Sequence, residues 1–250
     1  MSSPNLIGQP FIELLTVKST NNYAMGLARA GMAQHGAVVF THEQTKGKGQ
    51  RTKEWLSQKD QNIAMSAIIQ PKDIAVSEVF FLSMMVAVAV VDFFKTHVDR
   101  EITIKWPNDI YWRDRKAAGI LIENVWQGSD WKFAVVGIGI NVNQTEFGEL
   151  GSKAVSLKQI TSLNFQTVNL AKELCLILEE KYRLMLSQPS IIVREYKKHL
   201  YKLNSNVVLK KGSRVFEAEF KDVNNSGQMV VQHALEEKFD VGEVEWLINA

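Results

Sequence analysis

The chain has 250 residues and 46% of them are hydrophobic, which supports a sizeable core and argues against global disorder. Its 29 Lys and Arg residues nearly balance its 27 Asp and Glu residues, which argues against a general nucleic-acid coat or a polybasic membrane binder. Cys175 is the single cysteine, so we expect no disulfide within the chain and no cysteine-based zinc site. The sequence has no recognisable secretory signal and no apolar run long enough to span a bilayer. We therefore expect a soluble, cytoplasmic protein.

The first half of the chain is predicted to mix strands with helices. Phe11–Val17 is rich in apolar residues and is typical of a strand. Ser19, Thr20 and Asn21 follow it and can cap a helix, which Gly31 would end. Apolar patterns predict further strands over 37–44, 63–69 and 102–106, and a long helix over 76–97.

The second half continues this mixture and then changes character. Strands are predicted over 119–125 and 131–140, and helices over 168–186 and 190–203. Because strands and helices do not alternate regularly, we predict an α+β fold, a mixed sheet with helices packed mainly on one face. After Asn204, short alternating segments predict a small barrel of about five strands. The predicted domains are therefore 1–204 and 205–250.

A cationic loop with two glycines follows the strand that ends at Gln44. In TKGKGQRTKEW (45–55), the glycines let backbone amides approach an anion and the cations can neutralise it. The loop matches neither the Walker A pattern nor the dinucleotide fingerprint. Taken alone, it is equally compatible with a solvated surface turn.

A second segment, IKWPNDIYWRDRKAAGILIE (104–123), combines a turn with a hairpin. Asn108 and Asp109 offer an amide and a carboxylate at the turn that Pro107 fixes. Lys116 would lie at the mouth of the returning strand, where a cation can face a bound anion. An ordinary hairpin lysine and a self-bonded turn explain the same residues.

A third segment, VVGIGINVN (135–143), is a strand that contains glycines. Gly137 and Gly139 share one face, where either a flat ligand or a packed helix would account for them. Asn141 lies on the same side and could reach such a ligand.

The order of these motifs resembles that of biotin–protein ligases. The matching segments are S-T-N, Q-T-x-G-x-G with its later Trp, K-W-P-N-D, R-K-x-x-G-I-L-x-E and G-x-G-x-N. The resemblance extends over nearly the whole chain and implies an SH3-like fold for the barrel. It implies that biotin and ATP form biotinyl-adenylate and pyrophosphate, and that biotin then passes to a lysine of a biotin carboxyl carrier domain. It also implies Mg²⁺ on the ATP phosphates.

The resemblance assigns roles to individual residues. The implied biotin-binding residues are Ser19, Thr20, Asn21, Gln44, Gly47, Lys48, Lys116, Gly119, Gly137 and Gly139. The implied ATP- or adenylate-binding residues are Lys48, Gly49, Gln50, Arg51, Trp55, Asn108, Lys116 and Asn141. Asp109 is the implied Mg²⁺ ligand, and the implied catalytic residues are Lys116, Lys48 and Arg51, whose cations would stabilise charge near the α-phosphate.

Two departures of the loop from the family pattern bear on the roles that the resemblance implies. Lys48 stands in place of an arginine, which keeps the charge but loses the planar fork. Gln50 stands in place of an arginine associated with holding the adenylate. We predict that Arg51, together with Lys48, substitutes for this missing cation.

Two alternative functions stay open from the sequence. One is a lipoate or octanoate ligase of the same fold, and the other is a non-catalytic biotin-responsive binding module. Some relatives carry an N-terminal DNA-binding domain, but here the resemblance begins near Phe11 and leaves no room for one. We therefore expect no nucleic-acid partner, while the sequence leaves open whether the protein forms a homodimer.

Overall fold

The structure, a computed structural model, describes residues 6–50, 53–71, 74–75, 78–99 and 101–247. Arg51, residues 76–77 of the predicted long helix and residues 248–250 of the predicted barrel lie outside the described residues. The helices are α1 (Thr20–Arg29), α2 (Val79–Lys95), α3 (Leu157–Thr161), α4 (Thr167–Ser187) and α5 (Pro189–Lys198). None of the described helices has the length and apolarity needed to cross a membrane.

Seven strands of the main domain form one mixed sheet. They are β1 (Phe11–Val17), β2 (Val38–Gln44), β3 (Asn62–Ile69), β4 (Ile102–Lys105), β5 (Asp109–Trp112), β6 (Arg115–Gln127) and β7 (Asp130–Asn141). Their order is β1-β2-β3-β7-β6-β5-β4, with β1 and β2 parallel and the other neighbours antiparallel. The predicted α+β class and mixed sheet are confirmed.

Helices cover the two faces of this sheet unequally. Alternate residues of β3, such as Met65 and Ile69, lie in the main core with α2 and α4. Ile68 points to the opposite face and packs in a small cluster around Ala24 of α1. The prediction that helices pack mainly on one face is confirmed, and α1 leaves part of the second face for a site.

The predicted helix over 190–203 is longer than the observed helix α5, which ends at Lys198. The chain beyond it bonds instead to the edge strand β4. The backbone N–H of Ile104 donates to His199 at 2.7 Å, and that of Tyr201 donates to the carbonyl of Ile104 at 2.9 Å. These bonds pair backbone groups of the edge strand β4 that would otherwise lack partners in the sheet. This tertiary contact therefore ends the helix before the end that the apolar pattern predicts.

The barrel has the five predicted strands. They are β8 (Asn206–Lys211), β9 (Arg214–Val223), β10 (Met229–Gln232), β11 (Glu236–Phe239) and β12 (Glu245–Leu247), in the antiparallel order β11-β10-β9-β8-β12. The division at 204 and 205 stays a prediction.

A buried contact joins the barrel to the main domain. The indole Nε1 of Trp106 donates to the carbonyl of Gly227 at 2.9 Å. Gly227 also lies against the ring of Phe80 at the start of α2, so closely that a Cβ there would overlap the ring. Because Trp106 directly precedes Pro107 and Asn108, the barrel contacts the same segment that carries polar groups of the predicted site.

We expect Gly227→Ala to destabilise the protein more than Gly212→Ala. Both glycines have positive φ, +88° and +59°, and alanine in left-handed backbone costs about 1–2 kcal/mol. Overlap with Phe80 adds about 1–3 kcal/mol at Gly227 alone, because no described neighbour lies within 4 Å of a Cβ at Gly212. Urea unfolding measures both losses, and equal losses would contradict the tight barrel contact.

Candidate active site

Three glycines on adjacent strands create a shallow surface, here called the glycine floor and defined by Gly119, Gly137 and Gly139. Gly119 of β6 lies directly opposite Gly139 of β7. A Cβ on Gly139 would overlap the indole of Trp55, and a Cβ on Gly137 would overlap the side-chain amide of Asn21. The floor therefore lacks side chains where other parts of the chain approach the backbone closely.

The N-terminus of α1 lies beside this floor. Ser19 caps the helix, since its hydroxyl accepts a bond from a backbone N–H of the first turn. The backbone N–H of Thr20 donates to the side chain of Gln44 at 2.8 Å. The hydroxyl of Ser66 lies 2.6 Å from Asn21 Oδ1 and 2.8 Å from Thr20 Oγ1. The predicted residues Thr20, Asn21 and Gln44 thus meet in one hydrogen-bonded cluster with Ser66, beside the cap residue Ser19.

Ser66 was not among the predicted site residues. It is completely buried in β3, within the otherwise apolar run AMSAII. A single hydroxyl in such a run needs a partner, because burying a polar group without a hydrogen bond is costly. That requirement was the signal available in the sequence.

The cationic loop folds back on itself as a short hairpin. Lys48 forms an isolated antiparallel bridge with Glu54, and the N–H of Trp55 donates to the carbonyl of Gly47 at 2.9 Å. A Cβ on Gly47 would overlap the carbonyl of Trp55. Glycine at 47 therefore lets the returning strand come close enough to deliver Trp55 to the floor.

Gln50, which stands in place of a family arginine, lies near the tip of the hairpin. The N–H of Gly49 donates to Lys53, and the N–H of Lys53 donates to the carbonyl of Gln50, at 2.8 and 3.1 Å. Gln50 thus closes the turn through its backbone. Arg51 lies outside the described residues, so its substitution for the missing cation stays a prediction.

The indole of Trp55 lies on the floor itself. A Cβ on Gly119 would come within 3.1 Å of its ring carbon Cζ3, and the Lys116 ammonium lies 5.5 Å from its ring centroid. Its Nε1 is buried and has no hydrogen-bond partner among the described residues. An unpaired buried N–H is unfavourable, so it is available to a ligand acceptor in this position.

Lys116 and Asp109 meet at the edge of the floor. Asp109 lies opposite Gly119 in the β5–β6 pairing, and its Oδ1 is 2.7 Å from Lys116 Nζ. The predicted Asn108 and Asn141 lie nearby, but their amide N–H groups donate to backbone carbonyls of the chain. They hold the surrounding strands, and their contact with a nucleotide stays a prediction.

A second lysine near this edge was missed, although it stands in the K-W-P-N-D motif. The Lys105 ammonium lies 5.7 Å from the ring centroid of Tyr111 and 5.6 Å from that of Trp246 in the barrel. Burial lowers its pKa, and the charges of Lys116 and Lys53 act in the same direction. These cations concentrate positive charge beside the floor, although the whole chain is nearly neutral.

Glu123 was missed as well. Its carboxylate accepts from Asn21 Nδ2 at 2.9 Å and lies 3.3 Å from Lys48 Nζ. It closes the R-K-x-x-G-I-L-x-E motif, four residues beyond Gly119 in β6. Since alternate residues of a strand share a face, this spacing was the signal in the sequence.

The described residues contain no cluster of three or more His, Cys, Asp or Glu side chains that could bind a metal ion. Asp109 offers a single carboxylate at the floor. Mg²⁺ is commonly bound by one or two carboxylates together with substrate phosphates. The residues present therefore fit a magnesium ion that arrives with a nucleotide.

A sequence model of the biotin/lipoate A/B protein ligase family matches residues 14–141, just over half of the chain. The chain belongs to this family. Among members, the bifunctional ligase/repressor BirA of Bacillus spizizenii is 34% identical over 181 residues, which is 71% of this chain and 55% of that protein. The biotin–[acetyl-CoA-carboxylase] ligase of Mycobacterium tuberculosis is 32% identical over 129 residues, 50% of this chain and 47% of that one. The chain spans about half the length of these curated relatives.

The fold of the family is shared over almost the whole chain. The biotin protein ligase from Aquifex aeolicus in complex with biotin and ATP aligns with a TM-score of 0.80 at 22% identity. The alignment covers 95% of this chain and 98% of that one. This likeness includes the small C-terminal sheet, consistent with the predicted SH3-like barrel.

We expect Gly139→Ala to move the indole of Trp55 off the floor, because the added Cβ would overlap the ring. Incorporation of 5-fluorotryptophan and ¹⁹F NMR measure this, with the Trp55 signal assigned from Trp55→Phe. Gly26→Ala is the control, since a Cβ there meets no described neighbour within 4 Å. A Trp55 signal that stays unchanged in Gly139→Ala would contradict the contact.

The strand that leads to Gln44 also carries a charged group that titrates. His42 of β2 lies 2.8 Å from Glu13 and 2.7 Å from Asp60. The hydrogen bond to Glu13 raises the pKa of His42 most, and Asp60 adds to it against an opposing effect of burial. Because the folded pKa is raised, the stabilisation is present below the unfolded pKa and is lost as pH rises through the folded one.

Glu13→Gln should therefore destabilise the protein more at about pH 6 than at about pH 9, on either side of the histidine range. Urea unfolding of wild type and variant at both values gives the two differences. Glu101→Gln is the control, because Glu101 pairs with Arg113, which stays charged throughout. A Glu13→Gln effect that does not change with pH would show that His42 is uncharged in the folded protein.

Proposed function

We propose that the protein is a biotin–protein ligase that activates biotin with ATP and transfers it to a lysine of a biotin carboxyl carrier domain. The observation that carries this proposal is the position of Lys116, whose ammonium lies beside Gly119 and Asp109 at the edge of the floor. Relatives that are named biotin–[acetyl-CoA-carboxylase] ligases support the same activity. The carrier would belong to a biotin-dependent carboxylase.

The first step needs fixed positive charge. When the biotin carboxylate attacks the α-phosphorus of ATP and pyrophosphate leaves, negative charge grows on the phosphate oxygens. Lys116 and Lys48 would stabilise this charge from fixed positions. An ammonium has three N–H donors, so Lys116 can contact Asp109 and still donate to the substrates.

The second step uses the same charges. The amine of the carrier lysine attacks the carbonyl carbon of the mixed anhydride and forms an amide bond. The bond from that carbon to the phosphate oxygen breaks, AMP leaves, and the amine loses a proton. Lysines that neutralise the α-phosphate in the first step also make AMP a better leaving group. Mg²⁺ would neutralise phosphate charge when bound, with Asp109 supplying a carboxylate.

The chemistry around the floor favours biotin over an acyl chain. A flat indole lies on the glycines, so the surface accepts a flat ring system. Thr20, Asn21 and Ser66 provide polar groups beside it, which suit a ureido ring. A lipoate or octanoate ligase would instead require a long apolar tunnel. These groups therefore support the biotin reaction over that alternative.

In the direct test, the protein is incubated with ATP, a carrier domain and either biotin or lipoate. The mass of the carrier is then measured by mass spectrometry. We expect a biotin adduct and no lipoyl adduct. Lys116→Ala should lower biotin-dependent pyrophosphate release by ~10²-fold, the scale for losing one stabiliser of developing charge.

Lys132→Ala is the control, since Lys132 pairs with Asp130 in β7 and has no part in the proposed site. It should leave pyrophosphate release unchanged. Release near the wild-type rate in Lys116→Ala would remove the proposed catalytic role, and a lipoyl adduct would overturn the biotin assignment.

A further inference from the structure

The C-terminal end of α5, residues 197–199, joins three other parts of the molecule. Lys197 forms an ion pair with Asp222 of β9 in the barrel, at 2.7 Å. The carbonyl of His199 accepts from the backbone N–H of Ile104 in the edge strand β4, also at 2.7 Å. The imidazole Nε2 of His199 lies 2.7 Å from Nζ of Lys95 in the last turn of α2. This short segment therefore connects α2, the sheet edge and the barrel.

The contact between His199 and Lys95 requires a neutral imidazole. An ammonium only donates hydrogen bonds, and a neutral imidazole accepts one at its unprotonated nitrogen. Lys95 therefore donates to Nε2, and the ring carries its single proton on Nδ1. When His199 takes up a second proton, both groups are cationic donors, and repulsion replaces the hydrogen bond.

Charged groups of both signs lie around this contact, and they come from three helices. Among the described residues they are Lys95 and Asp92 of α2, Glu195 and Lys198 of α5, and Lys181 of α4. Both carboxylates already have lysine partners, since Asp92 lies 2.9 Å from Lys181 and Glu195 lies 3.5 Å from Lys198. The carboxylates therefore do not offset the repulsion that Lys95 exerts on a protonated ring.

Protonation of His199 is accordingly unfavourable in the folded protein. Burial lowers the pKa of His199 most, and the charge of Lys95 lowers it next. Because the folded pKa lies below the unfolded one, the unfolded chain binds the proton more readily. The stabilisation is thus present above the unfolded pKa, about 6.5, and is lost as pH falls from there through the folded pKa.

From this geometry we infer that the contact between His199 and Lys95 is a pH-sensitive joint, which holds the end of α5 against α2 at neutral pH and releases it in acid. The same end of α5 supplies the carbonyl that pairs with β4 and the lysine that pairs with the barrel. Acid therefore weakens the attachment of the barrel and of the edge strand that leads into K-W-P-N-D. This inference does not depend on the proposed function.

His199→Gln keeps an acceptor for Lys95 but removes the titration, because the glutamine oxygen is neutral at every pH. His97→Gln is the matched control. His97 lies two residues beyond α2, but its Nε2 faces the carboxylate of Glu173 at 3.2 Å instead of an ammonium. Both variants replace a histidine by glutamine, so the charge of the facing group is what differs between them.

The first measurement is hydrogen–deuterium exchange with mass spectrometry, with rates corrected for the intrinsic effect of pH. Peptides that contain Ile104 and Tyr201 report on the bonds between β4 and the chain beyond α5. In wild type, their protection should fall roughly 3-fold or more between about pH 7.5 and about pH 5.5, on either side of the usual histidine pKa. His97→Gln should behave like wild type, and His199→Gln should show a smaller fall. An equal fall in wild type and His199→Gln, or none in wild type, would overturn the inference.

The second measurement is urea unfolding at the same two pH values. Between them, the unfolding equilibrium constant of wild type should rise roughly 3- to 10-fold more than that of His199→Gln. Lys95→Met tests the partner, since it removes the ammonium and leaves the histidine in place. It should reduce this excess rise, because only the effect of burial is left. An excess that stays unchanged in Lys95→Met would show that Lys95 takes no part, and the joint would be ruled out.

Discussion

The close approach of other segments to the paired glycines of β6 and β7 is the constraint on which the rest of the site depends. Without side chains at Gly119 and Gly139, the sheet has a gap on the face that α1 leaves uncovered. Trp55 fills this gap, and it reaches the floor because Gly47 lets the hairpin close tightly. Glycine is thus required both on the surface that is covered and in the loop that covers it.

The lysines around this floor form ion pairs with carboxylates, and a ligand can bind to the same ammonium groups. Lys116 contacts Asp109 and Lys48 contacts Glu123, while Lys105 lies between aromatic rings and burial lowers its pKa. Each ammonium keeps donors beyond its present contact. An anionic substrate therefore meets cations whose directions are already set, and such preorganisation is the usual source of electrostatic catalysis.

Much of the site could be predicted because its residues stand in short segments with strong local signals. A helix cap predicts Ser19, and a turn between strands predicts Asn108 and Asp109. Ser66, Lys105 and Glu123 were missed because each owes its position to a partner distant in sequence. Ser66 bonds to α1, Lys105 lies against a barrel ring, and Glu123 joins two separate segments. The local signals of Ser66 and Glu123 mark these residues but do not specify their distant partners.

The sequence by itself determined the α+β class, the order of the main elements and the five short strands of the barrel, because hydrophobic periodicity and turn residues act locally. Only the tertiary structure decided where α5 ends, since the chain beyond Lys198 bonds to the edge strand β4. It also decided that the glycine face receives Trp55 and Asn21. The physical reason is that backbone spacing and hydrogen-bond partners across a sheet depend on segments remote in sequence, which periodicity cannot specify.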